Sequence, residues 1–310
     1  MSRYILRRLI YALITLWLII SLTFVLMHNL PGDPFGENAN KLPKQQKELL
    51  LKQYGLDKPM WEQYLIYMKK AVQGDFGVSY QFPAKSVTDI IKQAFPNSLE
   101  LGLYSIVISI FFGLLLGIIA ALRHNKWQDY SAMFLAVVGI SIPSFVLGPL
   151  LAYFIGVKLE WLPVALWNGP KFKILPSIAL SFGTIAILAR MMRTSMLDVL
   201  NMDYIKTAKA KGLAQPAVIA KHAIRNAILP VVTIIGPIFV NIITGTLVVE
   251  QIFAIPGLGK HFVNSISTND YSMICGLTIF YSAILIVVIF VTDLLYGLVD
   301  PRIRLGKGGK

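Results

Sequence analysis

The chain has 310 residues, of which 55% are hydrophobic and 15% charged, with a net charge of +13. Soluble domains carry about 25% charged residues; together with a mean hydropathy of +0.64, this composition excludes an ordinary soluble domain and places the chain in a membrane. The single cysteine, Cys275, excludes an intrachain disulfide and a multi-cysteine metal site.

Six apolar runs are candidate spans: Leu9–Met27, Leu101–Leu122, Ala132–Val157, Leu175–Ala189, Ala227–Val249 and Ile274–Tyr296. Several reach the ~20 residues that cross ~30 Å of hydrocarbon. They are continuous where barrel strands would alternate, which predicts transmembrane helices and an all-α membrane protein. Arg3, Arg7 and Arg8 precede the first run as in a signal peptide. The run is too long for one, and no small-residue cleavage site follows, so it is read as a retained helix.

Orientation follows from Lys and Arg near the span ends. With the N-terminus inside, sixteen fall in inner segments, while the short outer loops hold four: Lys158, Lys171, Lys173 and Lys260. Both termini are therefore expected in the cytoplasm. The positive charge is mostly a topology signal, and no nucleic-acid partner is expected. By side of the membrane the chain divides into residues 1–30 (tail and first span), 31–98 (an outer helical segment), 99–300 (a five-span core with a cytoplasmic loop at 195–228) and 301–310 (a cytoplasmic tail).

The outer segment has helix signals of its own. Asp57 and Pro59 open a helix with Trp61, Tyr64, Leu65 and Met68 on one face. Ser86-Val87-Thr88-Asp89 forms a capping box for a second short helix, with Val87, Ile90, Ile91 and Ala94 apolar. Further on, Gly113 and Gly117 make a GxxxG face for close packing, within this chain or against another. Gly139, Pro143, Gly148 and Pro149 should kink or unwind the third span; broken helices often line transport paths.

Between the fourth and fifth spans lies Asp203-Tyr204-Ile205-Lys206-Thr207-Ala208-Lys209-Ala210-Lys211-Gly212, too polar to cross a bilayer. Asp203 is the expected N-cap, and Gly212 the left-handed stop. Its basic residues favour the C-terminal end of the helix dipole. Two partners are open, anionic lipid or another protein. The apolar face, Tyr204, Ile205 and Ala208, offers little to insert into lipid, and Ala208, Ala210 and Gly212 suit close protein packing.

Among polar residues at membrane depth, Asp293 stands out, either paired with a neighbouring helix or in contact with substrate. Glu100 and Glu250 sit at outer span ends, where solvated caps are the ordinary reading, and Arg190 snorkels. The chain has no GxxxxGK[ST], HExxH or GxSxG, and its four His are dispersed. No metal site, catalytic residue or ATP site of its own is expected.

The run Thr207–Gly212, followed by His222-Ala223-Ile224-Arg225-Asn226-Ala227-Ile228-Leu229-Pro230, resembles the peptide-importer form of the EAA loop of ATP-binding-cassette importer permeases. Lys206-Thr207-Ala208 stands where the general pattern has Glu-Ala-Ala. The resemblance extends through Pro31-Gly32-Asp33-Pro34, Tyr54–Pro59, Gly74-Asp75-Phe76-Gly77, Pro96–Leu101, Val249–Gly259 and Asp300-Pro301-Arg302. Together these motifs are similar to the B-type permease of oligopeptide and dipeptide importers.

That resemblance implies the type I importer permease fold, with six transmembrane helices and a small outer helical insertion after the first. It implies a plasma-membrane subunit that translocates peptides and is not itself an enzyme. Its implied partners are a second, homologous permease, two cytoplasmic ATPases that hold ATP and Mg, and an extracellular peptide-binding protein. Asp203, Tyr204, Ile205, Thr207, Ala208, Lys209, Ala210, Lys211 and Gly212 would form the coupling helix. Pro143, Glu250, Pro256, Gly257 and Asp293 would lie on the path or gate. Glutathione and nickel-complex importers share this scaffold; a membrane-embedded enzyme is the alternative from another class.

Overall fold

The computed structural model describes residues 2–29, 44–81 and 85–299. The motifs at 31–34 and 300–302 and the tail 301–310 lie outside the described residues. Among the described residues, all regular structure is helical apart from one bridge between Val78 and Ser86. Four helices are long and apolar enough to cross a membrane: Leu6–Asn29, Val87–Leu122, Pro170–Leu200 and Tyr271–Thr292. Two bent pairs, Trp127–Ser141 with Ser144–Lys158 and Gln215–Ala227 with Leu229–Ile243, bring the number to six if each pair is one span.

The elements are α1 (Ser2–Asn29), α2 (Lys44–Tyr54), α3 (Met60–Val72), α4 (Val87–Leu122), α5 (Trp127–Ser141) and α6 (Ser144–Leu151), the last continued by π-helical turns over Ala152–Lys158. Then come α7 (Pro170–Leu200), α8 (Asp203–Ala210), a short helical stretch over Gln215–Ala227, α9 (Leu229–Ile252), α10 (Leu258–Ser267) and α11 (Tyr271–Val299). They form two compact units, Met1–Asn97 with Gly257–Lys310, and Ser98–Pro256.

In the terminal unit, α1 packs along α11. Leu13 and Leu22 of α1 are 58% and 62% exposed, as a lipid-facing surface requires. α3 lies against the end of α1. There the Ser21 and Tyr64 hydroxyls approach to 2.6 Å, His28 Nε2 bonds Gln63 Oε1 at 3.0 Å, and Phe24 stacks on Tyr67. This differs from the expected apolar face: Trp61 and Leu65 point outward, because the partner is the partly polar tip of α1. Asp57 does not cap α3; Pro59 occupies the N-cap.

Ser86 caps the helix as expected, its Oγ accepting from the Asp89 N–H at 3.0 Å, but Asp89 Oδ2 accepts from the Ser86 hydroxyl at 2.7 Å in place of the backbone N–H of a full capping box. This cap opens one 36-residue helix in place of a short helix followed by a separate span. Pro96 deprives only one carbonyl of its partner and lies on the exposed side, so the helix runs on. Val87, Ile90, Ile91 and Ala94 are all buried, packed with Leu258, Met273 and Leu277.

In the central unit, α7 is the post on which the others pack. A Cβ on Gly113 would stand 2.5 Å from Leu188 Cβ, and one on Gly117 2.6 Å from both Ala189 O and Met192 Cβ. The GxxxG face therefore packs within the chain. Gly139 of α5 meets another side of α7, its added Cβ 3.0 Å from Ala186 Cβ. The third span is broken outright: α5 and the Ser144–Lys158 arm meet at 107°. Proline disfavours helix in the residue before it, and Ile142 is extended, with ψ 112°. Pro143 then caps α6, its carbonyl accepting from the Val146 and Leu147 N–H groups.

Candidate functional site

The polar stretch after α7 folds into α8 over Asp203–Ala210. Met202, in extended conformation, is the N-cap, not Asp203. Asp203 opens the first turn, where its negative charge suits the helix dipole, and Lys206 Nζ binds its carboxylate at 2.9 Å. Gly212 stops the helix as expected, with φ +74°. Its N–H donates to Lys209 O at 3.0 Å and the Leu213 N–H to Ala208 O at 3.4 Å. That crossed pair is the Schellman arrangement, which needs a left-handed residue at this point.

Burial assigns the faces of α8. Ile205 (0% exposed) and Ala208 (6%) point into the chain's own core, which also holds Met192, Met196, Val218 and Ala223. Burying one Ile side chain contributes about 1.5–3 kcal/mol, enough to fix a short helix in place. Asp203, Tyr204, Lys206, Thr207, Lys209, Ala210 and Lys211 remain exposed. The apolar pair that would have entered lipid is thus committed to α8's own support. What remains exposed is one aromatic ring, three lysines and small residues.

A polar cluster missing from the sequence reading lies at the α4–α5 turn. Asp129 on α5 is 2% exposed. Arg193 on α7 grips it in a fork, Nε to Oδ1 at 2.5 Å and the terminal nitrogen to Oδ2 at 2.7 Å. The Asn125 N–H donates to Oδ2 at 3.0 Å, and His124 Nδ1 lies 3.2 Å from it. The fork ties the α4–α5 turn to the part of α7 that leads into α8. The one clue in sequence was an acidic residue beside an otherwise basic turn.

Among the residues expected on the path or gate, Pro143 is exposed at the α5–α6 break. Glu250 is 0% exposed, so it is not a solvated cap. It lies in the last turn of α9, where its carbonyl accepts from the Ile255 N–H at 2.9 Å. Ala254, with φ +52°, makes the left-handed turn that ends α9, and Pro256 follows, exposed. Gly257, in the terminal unit, caps α10, a helix the sequence reading lacked. Asp293 lies within α11, its side chain outside what the structure describes. Glu100, the other expected cap, is paired: Lys173 binds its carboxylate, and Trp167 Nε1 donates to it at 3.1 Å.

Solved structures share this architecture. The inward-facing MetNI methionine ABC transporter superposes with a TM-score of 0.58 at 16% identity, over 68% of this chain and 96% of that one. An amino acid ABC transporter gives 0.51 at 18%, over 69% and 94%. At such identities the likeness is one of fold, the type I importer permease fold. In sequence, the chain is 50% identical over 309 residues to the dipeptide transport system permease protein DppB of Bacillus subtilis, covering 100% of each. It is 42% identical to the oligopeptide transport system permease protein OppB of Escherichia coli K12, covering 98% of this chain and 100% of that one. Residues 1–102 match the N-terminal region of binding-protein-dependent transport membrane components. Residues 113–305 match the binding-protein-dependent transport system inner membrane component itself, and the chain belongs to that family of multi-pass membrane permeases.

Proposed function

We propose that this chain is the peptide-translocating permease of an ATP-driven importer in the plasma membrane, with both termini in the cytoplasm. The observation that carries the reading is the division of α8 into a buried and an exposed face, on a chain alike end to end to a dipeptide permease. Ile205 and Ala208 anchor the helix, and Tyr204, Lys206, Thr207, Lys209, Ala210 and Lys211 face outward to be held by an ATPase. The chain catalyses no reaction and binds no cofactor of its own; ATP and Mg belong to two partner ATPases.

A peptide backbone is polar along its whole length, and each bare amide buried in hydrocarbon would cost roughly 2–7 kcal/mol. Transport therefore takes place through a water-lined cavity. A second, homologous permease supplies its other wall, and an extracellular peptide-binding protein delivers substrate to the outer segment. Closure of the ATPases pushes α8, and the Asp129–Arg193 fork carries that push into α5 as well as α7. Pro143, Glu250, Pro256, Gly257 and Asp293 are the residues proposed for the path or gate. The exposed break at Pro143 supports its place there, since a discontinuous helix presents free backbone groups.

Co-purification tests the assembly. A tagged chain expressed with its neighbouring genes is expected to bring down two ATPases and a second permease, and vesicles containing the complex to take up labelled dipeptide only with ATP. ATP-independent chemistry by the purified chain would refute the reading.

A further inference from the structure

The terminal unit holds a half-open cavity of about 290 Å³. It lies where the end of α1, the α3 region and the start of α11 converge, apart from every residue proposed for coupling or gating. Its walls are largely aromatic: Phe24 and His28 from α1, Tyr67 from α3, then Phe76, Tyr80 and Tyr271. Two opposite charges also line it, Lys70 and Asp75, and both residues are exposed. The loop is held open by its own backbone. The Asp75 N–H donates to Lys70 O at 3.0 Å, Asp75 Oδ1 accepts from the Gly77 N–H at 2.9 Å, and Gly74 and Gly77 have φ of +77° and +84°.

The Tyr67 ring lines the cavity, while its hydroxyl is buried beside the Cys275 thiol, a weak hydrogen-bonding group. The neighbouring polar groups are already engaged: His28 bonds Phe24 O and Gln63, and Gln63 also donates to Lys58 O.

From this we infer that the cavity is a binding site for a small zwitterion with an apolar side chain, of which a free short peptide is the fitting class. The side chain enters between the aromatic walls. The ammonium group is drawn to Asp75 and the carboxylate to Lys70. The volume lies at the lower end of the ~300–1,000 Å³ usual for ligand pockets, which favours a dipeptide over longer chains. The inference rests on the proposed peptide-permease function and adds a second, outer stop for the same substrate.

The test is equilibrium binding of tritiated phenylalanyl-alanine to the intact permease complex in nanodiscs, without binding protein or ATP. Uptake into vesicles by the complete system is measured in parallel. Saturable binding is expected, weakened about tenfold by Asp75→Asn, which removes the charge that draws the ammonium group. Ile66→Trp, which fills the cavity from its lining, should abolish it. The N-acetylated, amidated dipeptide, which lacks both charges, should compete at least tenfold more weakly. No saturable binding while uptake proceeds would overturn the site and leave the permease function standing, as would binding equally strong in both variants. Absence of uptake with every peptide tried would instead overturn the function on which the site rests.

Discussion

Ala208 and Ala210 are the same residue two positions apart on α8, and their environments are opposite. Ala208 is packed into the chain's core, whereas Ala210 is exposed. Glutamate at 208 would bury an unpaired charge, so Ala208→Glu is expected to lower the yield of folded protein. Glutamate at 210 should leave folding intact, yet cut ATP-dependent uptake at least tenfold by placing a negative charge against the proposed ATPase-docking surface. Thermal unfolding and vesicle uptake, measured on both variants, separate the two effects. Gly212 is a third case: an added Cβ would meet nothing within 4 Å. Its φ of +74° alone makes Gly212→Ala cost roughly 1–2 kcal/mol, seen as fraying of α8. At the Asp129–Arg193 fork, Arg193→Met leaves a buried carboxylate without its cation and should destabilise by about 3–5 kcal/mol. Adding Asp129→Leu should recover much of that loss, and a double-mutant cycle of unfolding midpoints measures the recovery.

Helix packing in the central unit is governed by where Cβ atoms are missing. Gly117 has a backbone oxygen 2.6 Å from where its Cβ would stand; for Gly183 the nearest atom, Gly139 O, is 3.4 Å away. Gly117→Ala must therefore push α4 off α7, at a cost of about 1–3 kcal/mol, and Gly183→Ala should be close to neutral in the same thermal assay. The GxxxG spacing announced such a contact without naming its partner, since the pattern is the same within and between chains. The break at Pro143 was legible because proline acts on the residue before it, whatever the surroundings. The long α4 was not: Pro96 reads locally as an interruption, and only the burial of Val87, Ile90, Ile91 and Ala94 on the same helix shows why it continues. The turn at Ala254 was equally hidden, since alanine carries no mark of a left-handed conformation.

At the scale of the whole chain, hydropathy and the continuity of the apolar runs were enough for the all-α membrane class, and ordered motifs were enough for the family. Burial was beyond reach. Glu250 at the end of an apolar run looks like a solvated cap in sequence and is enclosed in the structure. Asp129 lies beside a basic turn and becomes the anchor of a fork with a residue 64 positions away. Long-range pairings of this kind depend on which helices become neighbours, and no local pattern encodes that. The same holds for α8, whose proposed coupling role turns on which of its faces the rest of the chain has already covered. The most direct measurement of the central claim places a photo-crosslinking p-benzoylphenylalanine at Tyr204, exposed on α8, in the assembled complex in its native membrane. Irradiation is expected to join this chain to an ATPase subunit, identified by mass spectrometry, with the yield changing on ATP binding. Adducts to lipid alone, with no ATPase adduct in any nucleotide state, would contradict the account.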